Sequence, residues 1–399
     1  MVPGPDAPAG GTGREGRTPP PVPVKLVLPV LLGAFGVFGL FWGVFAVLLA
    51  DLSGALDLSP GPLGAALFAG AAASILAMAL LGWTSDRLGR RVFLLLSGCA
   101  MGIGIAALAF VGGYAALLAV LVVLYAASGL YDVGINAAAV DLERAAERRF
   151  MALLHAAFSA GGVTGALSAG ALLSAGVSFR YVYLALLPPL AAVVLAVAAT
   201  RFPPRGEPGE DTTRQAGLYR NLPLLLLAVI ATLALLSEGE MEHWSGIYLR
   251  QTLGLSALLG GSGVAVFYGS MAVGRLGAAY VIGRFGNRRT LRGAGLLAAG
   301  GMVLALATRE PLLVVAGFLI VGLALSAVVP IAFSAAGDLA PGRAGGAVSV
   351  VTTLGYGGFL LGPVIVGGLA EVIGLRAALG VIAVAGVLIF VLSLRLKSP

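Results

Sequence analysis

Few side chains able to do chemistry lie within the apolar runs of this 399-residue sequence, and their spacing is informative. Tyr125, Gly129, Asp132 and Asn136 recur at i, i+4, i+7 and i+11, which puts them on one helical face. An ionisable group in such a run costs about 2.5–3.5 kcal/mol on insertion scales and marks a functional or structural site. A carboxylate partly withdrawn from water can take up and release a proton as its surroundings change. Asp132 is the foremost candidate for that chemistry, and Asn136, one turn on, can hydrogen-bond the acid or a solute. The alternative is a permanent pair with Arg275, the one basic residue inside an apolar run, which is also a candidate to face the solute.

A second polar group lies in the run 222–243, where Glu238, Glu242 and Ser245 share a face while Glu240 and His243 point elsewhere. Counted at 1.5 Å per residue from Arg220, Glu238 lies about 27 Å along the helix. That predicts Glu238 near the outer end as an external gate or proton acceptor. It also predicts Glu240 to His243 at the outer water interface, with Trp244 and Tyr248 as interfacial anchors. His155 is a third proton candidate, or else a helix–helix hydrogen-bonding group beside Ser159. Phe41, Trp42 and Phe45, with Tyr125, are candidates to stack on a solute, the alternative being core or lipid contact. No P-loop, metal-ligand spacing or nucleophile constellation occurs, so an enzyme, a cofactor and a metal are all unexpected. Uphill transport would then draw on an ion gradient, most simply of protons.

The elements that must position these groups follow from composition. Apolar residues make up 59% and charged residues 11%, against roughly 25% charged in a soluble domain. A soluble enzyme, a disordered chain and a nucleic-acid-binding module are excluded. A bilayer core about 30 Å thick needs roughly 20 apolar residues as a helix, and twelve such runs are present, the eighth and ninth being 259–283 and 291–308. Residues 1–24 are Pro/Gly-rich and predict a disordered tail, not a cleaved signal. Of 25 Lys and Arg, 20 fall on one side of the predicted membrane, 4 on the other and Arg275 within. That asymmetry predicts cytoplasmic termini and a cytoplasmic 200–220 loop. Cys99 is alone, so no disulfide forms within the chain. The 60 glycines, about twice average usage, suit close helix packing in lipid.

A shift of 197 residues superimposes Arg87 on Arg284, Gly89 on Gly286, Arg91 on Arg288, Gly161 on Gly358, Gly165 on Gly362 and Gly170 on Gly367. The prediction is an all-α membrane protein of two pseudo-symmetric six-helix bundles, 25–199 and 221–395, joined by the 200–220 linker and followed by a short tail, 396–399. Parallel repeats of this kind place a binding site between the halves near mid-membrane. Gly161, Gly165, Gly358 and Gly362 with Pro363 are read as packing faces that let helices slide.

The run Gly82-Trp-Thr-Ser-Asp86-Arg87-Leu-Gly89-Arg90-Arg91 resembles the loop signature of the major facilitator superfamily between spans two and three, Thr84 departing from the usual Leu. Gly89 permits a tight reversal, Asp86 can accept from free N–H groups at a helix start, and the arginines can pair with acids across the rim. The resemblance implies that this loop latches the halves while the outer side is open. Asp132-Val-Gly-Ile-Asn136, Glu238-Gly-Glu-Met-Glu-His-Trp244-Ser245 and Pro341-Gly-Arg343-Ala-Gly-Gly346 are similar to a fucose-permease-like bacterial branch. The branch's sugar symporter carries an Asn/Asp pair in outer span one; here the stretch is Ala46-Val-Leu-Leu-Ala50, with Asp51 displaced outward. The resemblance implies a multi-pass inner-membrane secondary transporter, acting as a monomer on a sugar-like or small-metabolite substrate by alternating access, with protons as partner. Proton-driven efflux of an amphipathic compound is the alternative, and a non-transporting sensor or scaffold a third class.

Overall fold

The structure is a computed structural model that describes residues 24–203, 218–340 and 343–396. The expected N-terminal tail, the middle of the linker, Pro341–Gly342 and the last three residues lie outside the described residues.

Local signals set the helix starts. Helix α1 (Val24–Ala55) carries Pro29 near its start, and α2 (Pro60–Leu81) begins with proline behind Ser59, where a missing N–H costs nothing. The short α3 (Thr84–Leu88) ends at Gly89, whose φ of 79° is a conformation glycine alone adopts freely. There follow α4 (Arg90–Leu108), α5 (Tyr114–Ala146), α6 (Met151–Ser174), α7 (Phe179–Leu184) and α8 (Leu187–Ala199). Helix α9 (Leu222–Ile247) starts with the Asn221 side chain accepting from the Leu224 N–H at 3.2 Å, and continues through a π-helical turn, Tyr248–Thr252.

Helix α10 (Ala257–Ala307) is 51 residues long because the expected eighth and ninth spans are joined end to end. Gly286 interrupts it with φ 76° and ψ 161°, close to the 79° and 152° of Gly89. The 197-residue offset therefore pairs two like breaks, one read as a chain reversal and the other as a kink. The remaining helices are α11 (Pro311–Leu325), α12 (Val328–Asp338), α13 (Ala344–Ile373), α14 (Leu375–Ala378) and α15 (Gly380–Arg395). Among the described residues, 11 helices are long and apolar enough to cross a membrane, where twelve spans were expected; the shortfall is the continuity across Gly286. Large apolar side chains such as Leu195, Leu312 and Val372 lie outermost and exposed, as lipid-solvated faces require.

Glycines set the closest backbone approaches. A methyl built on Gly161 would overlap the carbonyl of Gly36, and one on Gly165 that of Leu40, so α6 lies directly on α1. Gly358 stands in the same way against the Thr232 carbonyl, bringing α13 onto α9. These glycines pack helices within one group, α1 to α8 or α9 to α15. The glycines that meet across the groups are others: Gly64 against Pro363 and Gly367, Gly170 against Ala257, Gly261 against Ala166. Those cross-group contacts gather at one end of the molecule, the end bearing Asp51 and Arg250.

Candidate functional site

The closed end is built from charge as well as glycine. Arg250 at the end of α9 pairs with Asp51 near the end of α1 through two hydrogen bonds, Nη1 to Oδ2 and Nη2 to Oδ1, the second at 2.9 Å. Beside it Gln251 Nε2 donates to the Ala50 carbonyl at 3.1 Å and to Ser53 Oγ at 2.9 Å. Glu371 Oε1 accepts from the Gly61 N–H at 2.7 Å, and Ser174 Oγ from the Leu258 N–H at 3.0 Å. Replacing Asp51 by Ala removes a charge-assisted pair worth about 2 kcal/mol. Spin labels at Gly54 and Thr252 are expected to show a longer, broader distance distribution in that variant, and an unchanged distribution counts against a closing role.

Deeper in, the polar run of α9 is enclosed. Every residue from Gly239 to Leu249 is buried, contrary to the expected outer-interface position of Glu240 to His243 and the anchor role of Trp244 and Tyr248. The reason is length: α9 runs on to Thr252, so His243 lies about 13 Å short of the helix end. His243 Nδ1 lies 2.7 Å from the Gly239 carbonyl, which can only accept, so Nδ1 carries the hydrogen. Its Nε2 and the Tyr125 hydroxyl of α5 are hydrogen-bonded at 3.2 Å, a bond between the two helix groups. On the preceding residue, Glu242 Oε1 accepts from the Tyr268 hydroxyl of α10 at 2.5 Å. All four are buried, at 3% exposure for Tyr125, 1% for His243, 9% for Glu242 and 7% for Tyr268. Tyr125 and Tyr268 each lie about 16 Å from the closed-end start of their helices, near mid-membrane.

Aromatic rings surround this centre. Trp42 stands edge-on to Tyr125 at 5.1 Å, and Phe45 lies 5.9 Å from the same ring. Phe41 and Phe45 are fully buried in the packing of α1, so Trp42 alone of the three stacking candidates keeps exposed surface. Ala46 to Ala50 is likewise buried, packed towards α9 near Gly246.

Toward the opposite end the charged groups are more open. Arg275 Nη2 donates to Glu238 Oε1 at 3.0 Å, with 39% and 21% of the two side chains exposed. Arg275 is thus the partner of Glu238 and not of Asp132, and Glu238 lies on the open side of the central cluster instead of at an external gate. Asp132 Oδ1 accepts from Asn136 Nδ2 at 2.9 Å and has no basic partner among the described residues. Tyr356 of α13 lies within electrostatic reach of both Asp132 and Glu238. His155 packs edge-on to Phe35 at 5.4 Å, is exposed, and lies within electrostatic reach of Arg275. Acids, a base and a hydroxyl from α5, α6, α9, α10 and α13 therefore lie on this side of the central cluster. Glu240, expected at the outer interface, instead has both carboxyl oxygens buried without hydrogen-bond partners among the described residues, against Gly362. Its only sequence signal was a third acid in a run too short to place.

The loop signature forms a compact hub. Arg90 Nε donates to Asp141 Oδ2 of α5 at 2.7 Å, and Nη1 donates to Ser85 Oγ at 2.7 Å and Asp86 Oδ1 at 2.9 Å. Arg87 stacks over Trp83 at 4.3 Å, while Gly82 leads into the turn and Arg91 lines a cleft with Phe202 and Pro203. The helix start of α6 is served by Glu143, whose Oε1 accepts from the Phe150 and Met151 N–H groups at 2.5 and 2.7 Å.

A spanning bundle closed at one end and lined by ionisable groups toward the other defines a membrane carrier. The sequence profile of the Major Facilitator Superfamily matches residues 30–299 and 244–399, and the chain belongs to that family. An MFS-type transporter of Yersinia pestis, itself uncharacterized, is 32% identical over 350 residues, covering 88% of this chain and 90% of its own. The membrane protein MosC of Rhizobium meliloti is 29% identical over 367 residues, covering 92% and 89%. Among solved structures, the nucleoside transporter NupG superposes with a TM-score of 0.79 at 15% identity, covering 94% of this chain and 100% of that one. An inward-facing, unoccupied bacterial homolog of the human lysosomal transporter Spinster gives 0.75 at 18% identity, covering 94% and 98%. Likeness at that identity shows the fold. The chain is a multi-pass membrane protein of the secondary-transporter class, acting on a small molecule and not an enzyme.

Proposed function

We propose that this chain is a proton-coupled carrier of a small metabolite or sugar-like solute, of the fucose-permease-like branch, working by alternating access as a monomer. It is built as two six-helix bundles, 25–199 and 221–395, with Gly286 dividing α10 into two spans to make twelve. It sits in the bacterial inner membrane with both termini and the Arg90 loop on the cytoplasmic side. The observation that carries this reading is the one-sided closure: cross-group contacts at the Arg250 end, with the ionisable groups Asp132, Glu238, Arg275 and His155 gathered toward the other. The matched breaks at Gly89 and Gly286, and the matched contacts of Gly161 and Gly358, support the repeat. In this state the chain faces inward, and the Asp86–Arg90 loop packs on its own bundle; it would engage the other bundle when the outer end opens.

Asp132 exchanges the coupling proton in this reading, because its carboxylate has a hydrogen-bond donor beside it and, among the described residues, no cation to hold it ionised. Solute binds among Trp42, Asn136, Tyr356 and the Glu238–Arg275 pair. The efflux alternative drew on the aliphatic stretch Ala46 to Ala50; that stretch is packed against α9 in this state, and the branch resemblance favours uptake. The relatives in solved structures include a nucleoside transporter, which is in keeping with a small polar organic solute. A solute panel on purified protein identifies the substrate, since a ligand bound to the native state raises apparent stability. With that solute in proteoliposomes, Asp132→Asn is expected to abolish accumulation driven by a pH gradient while equilibration down the solute gradient continues. Full accumulation by Asp132→Asn would remove the assignment.

A further inference from the structure

We propose that Glu240 is a second proton-binding site, its carboxyl held in this state as the neutral acid within the packing of α9 on α13. Glu240 is 0% exposed, and neither of its carboxyl oxygens has a hydrogen-bond partner among the described residues. Its Oε1 occupies the space that a side chain at position 362 of α13 would fill, because a methyl built on Gly362 would overlap it. The glycine thus makes the seat for the carboxyl. An ionised carboxylate in that seat would be a buried charge with neither counter-ion nor donor, among the costliest states open to a side chain. A bound proton removes the charge and leaves an O–H that needs one acceptor. Pro363, the next residue of α13, has no N–H to give the carbonyl one turn back, at Phe359. The Phe359 ring packs on Gly239 and on the His243 imidazole, so the turn of α13 that meets Glu240 includes a carbonyl whose usual donor is missing.

The charged and titratable groups around it are engaged elsewhere. On α9, Glu238 pairs with Arg275 of α10, Glu242 accepts from Tyr268 of α10, and His243 bonds Tyr125 of α5. Trp244 Nε1 and the Tyr248 hydroxyl, one and two turns on, reach no hydrogen-bond partner, Glu240 included. From α13, Tyr356 lies in electrostatic reach of Asp132 and Glu238, and Glu371 accepts from the Gly61 N–H of α2. Asp51 of α1 is taken by Arg250, while Asp338 of α12 and Arg395 of α15 each end their helices. Among the described residues no charged group lies in electrostatic reach of Glu240. A metal ion fits the seat less well than a proton. It needs about six oxygen ligands, and no group of three acids, histidines or cysteines able to hold one occurs among the described residues. The proton site stands on this geometry; its use in transport rests on the carrier reading above.

The test needs neither solute nor gradient. In purified protein at pH about 8, well above the ordinary carboxylate range, the infrared spectrum should contain the carbonyl band of a protonated carboxylic acid, on the high-frequency side of the amide bands. Subtracting the Glu240→Gln spectrum should isolate that band as one the variant has lost. Asp132→Asn combined with Glu242→Gln, which leaves Glu240 in place, should keep it. Stability gives an independent reading with a fixed sign. Unfolding in detergent exposes Glu240 to water, where it gives up its proton, so each pH unit above the ordinary range weakens the parent's folding equilibrium by up to about tenfold. The amide has no proton to give up and escapes that penalty. The thermal midpoint of Glu240→Gln relative to the parent is therefore expected to rise as the pH goes from about 6 to about 9. Glu240→Met serves both measurements if the amide does not fold. A spectrum with no protonated-acid band belonging to Glu240, or a midpoint gap that stays level or narrows with pH, overturns the proposal. Either result leaves the carrier reading untouched, and a solute panel that finds no ligand leaves both measurements standing.

Discussion

Arg90→Ala is expected to lower stability by about 3–5 kcal/mol, because it leaves Asp141 as an uncompensated buried carboxylate. The Arg90 side chain is 10% exposed and that of Asp141 1%, so water cannot replace the lost bond. Arg90 also holds Ser85 and Asp86, and its loss frees the α3 turn from both α4 and α5. Arg90→Lys keeps a charge but cannot present the planar fork that reaches three oxygens at once, so partial loss is expected. The informative control is Arg90→Met combined with Asp141→Leu. Replacing a buried pair by apolar residues of similar size is often neutral, so the double variant should regain most of the thermal stability in detergent. If the loop acts as a conformational latch as well, the double variant should still fail to transport.

Gly161→Ala should be among the most damaging single methyls in the group α1 to α8. The added carbon would overlap the Gly36 carbonyl, which is backbone and cannot swing aside, so α6 must move off α1. Overpacking of this kind costs about 1–3 kcal/mol and here acts along two whole helices. Gly358→Ala should behave alike, since it meets the Thr232 carbonyl. Gly357→Ala is the matched control: nothing lies within 4 Å of its added methyl. That variant should be neutral or slightly stabilising, because alanine favours helix by about 0.5–1 kcal/mol over glycine. Thermal unfolding of the three variants decides the matter; equal effects at 357 and 358 would mean that α13 does not pack on α9 through this face.

The chain's own residues determined the class of structure. An apolar content that only lipid can solvate, runs of spanning length and a Lys/Arg bias are properties of composition and period, and need no tertiary information. The break positions were legible too, because glycine at 89 and 286 is a local backbone requirement. Partnerships were not legible. Asp132 and Arg275 were the natural pair on paper, yet Arg275 lies beside Glu238, since helix rotation decides which of two acids a guanidinium meets. Glu240 to His243 were placed at the wrong depth because helix length beyond the polar run was unknown, and the run's outer end is fixed by Arg250 meeting Asp51 of another helix. The Tyr125–His243 bond joins residues 118 apart in sequence, and no periodicity within one helix carries information about its neighbour's azimuth. Sequence period specifies each helix; only packing among helices, governed by glycine-scale contacts, decides which polar groups face one another.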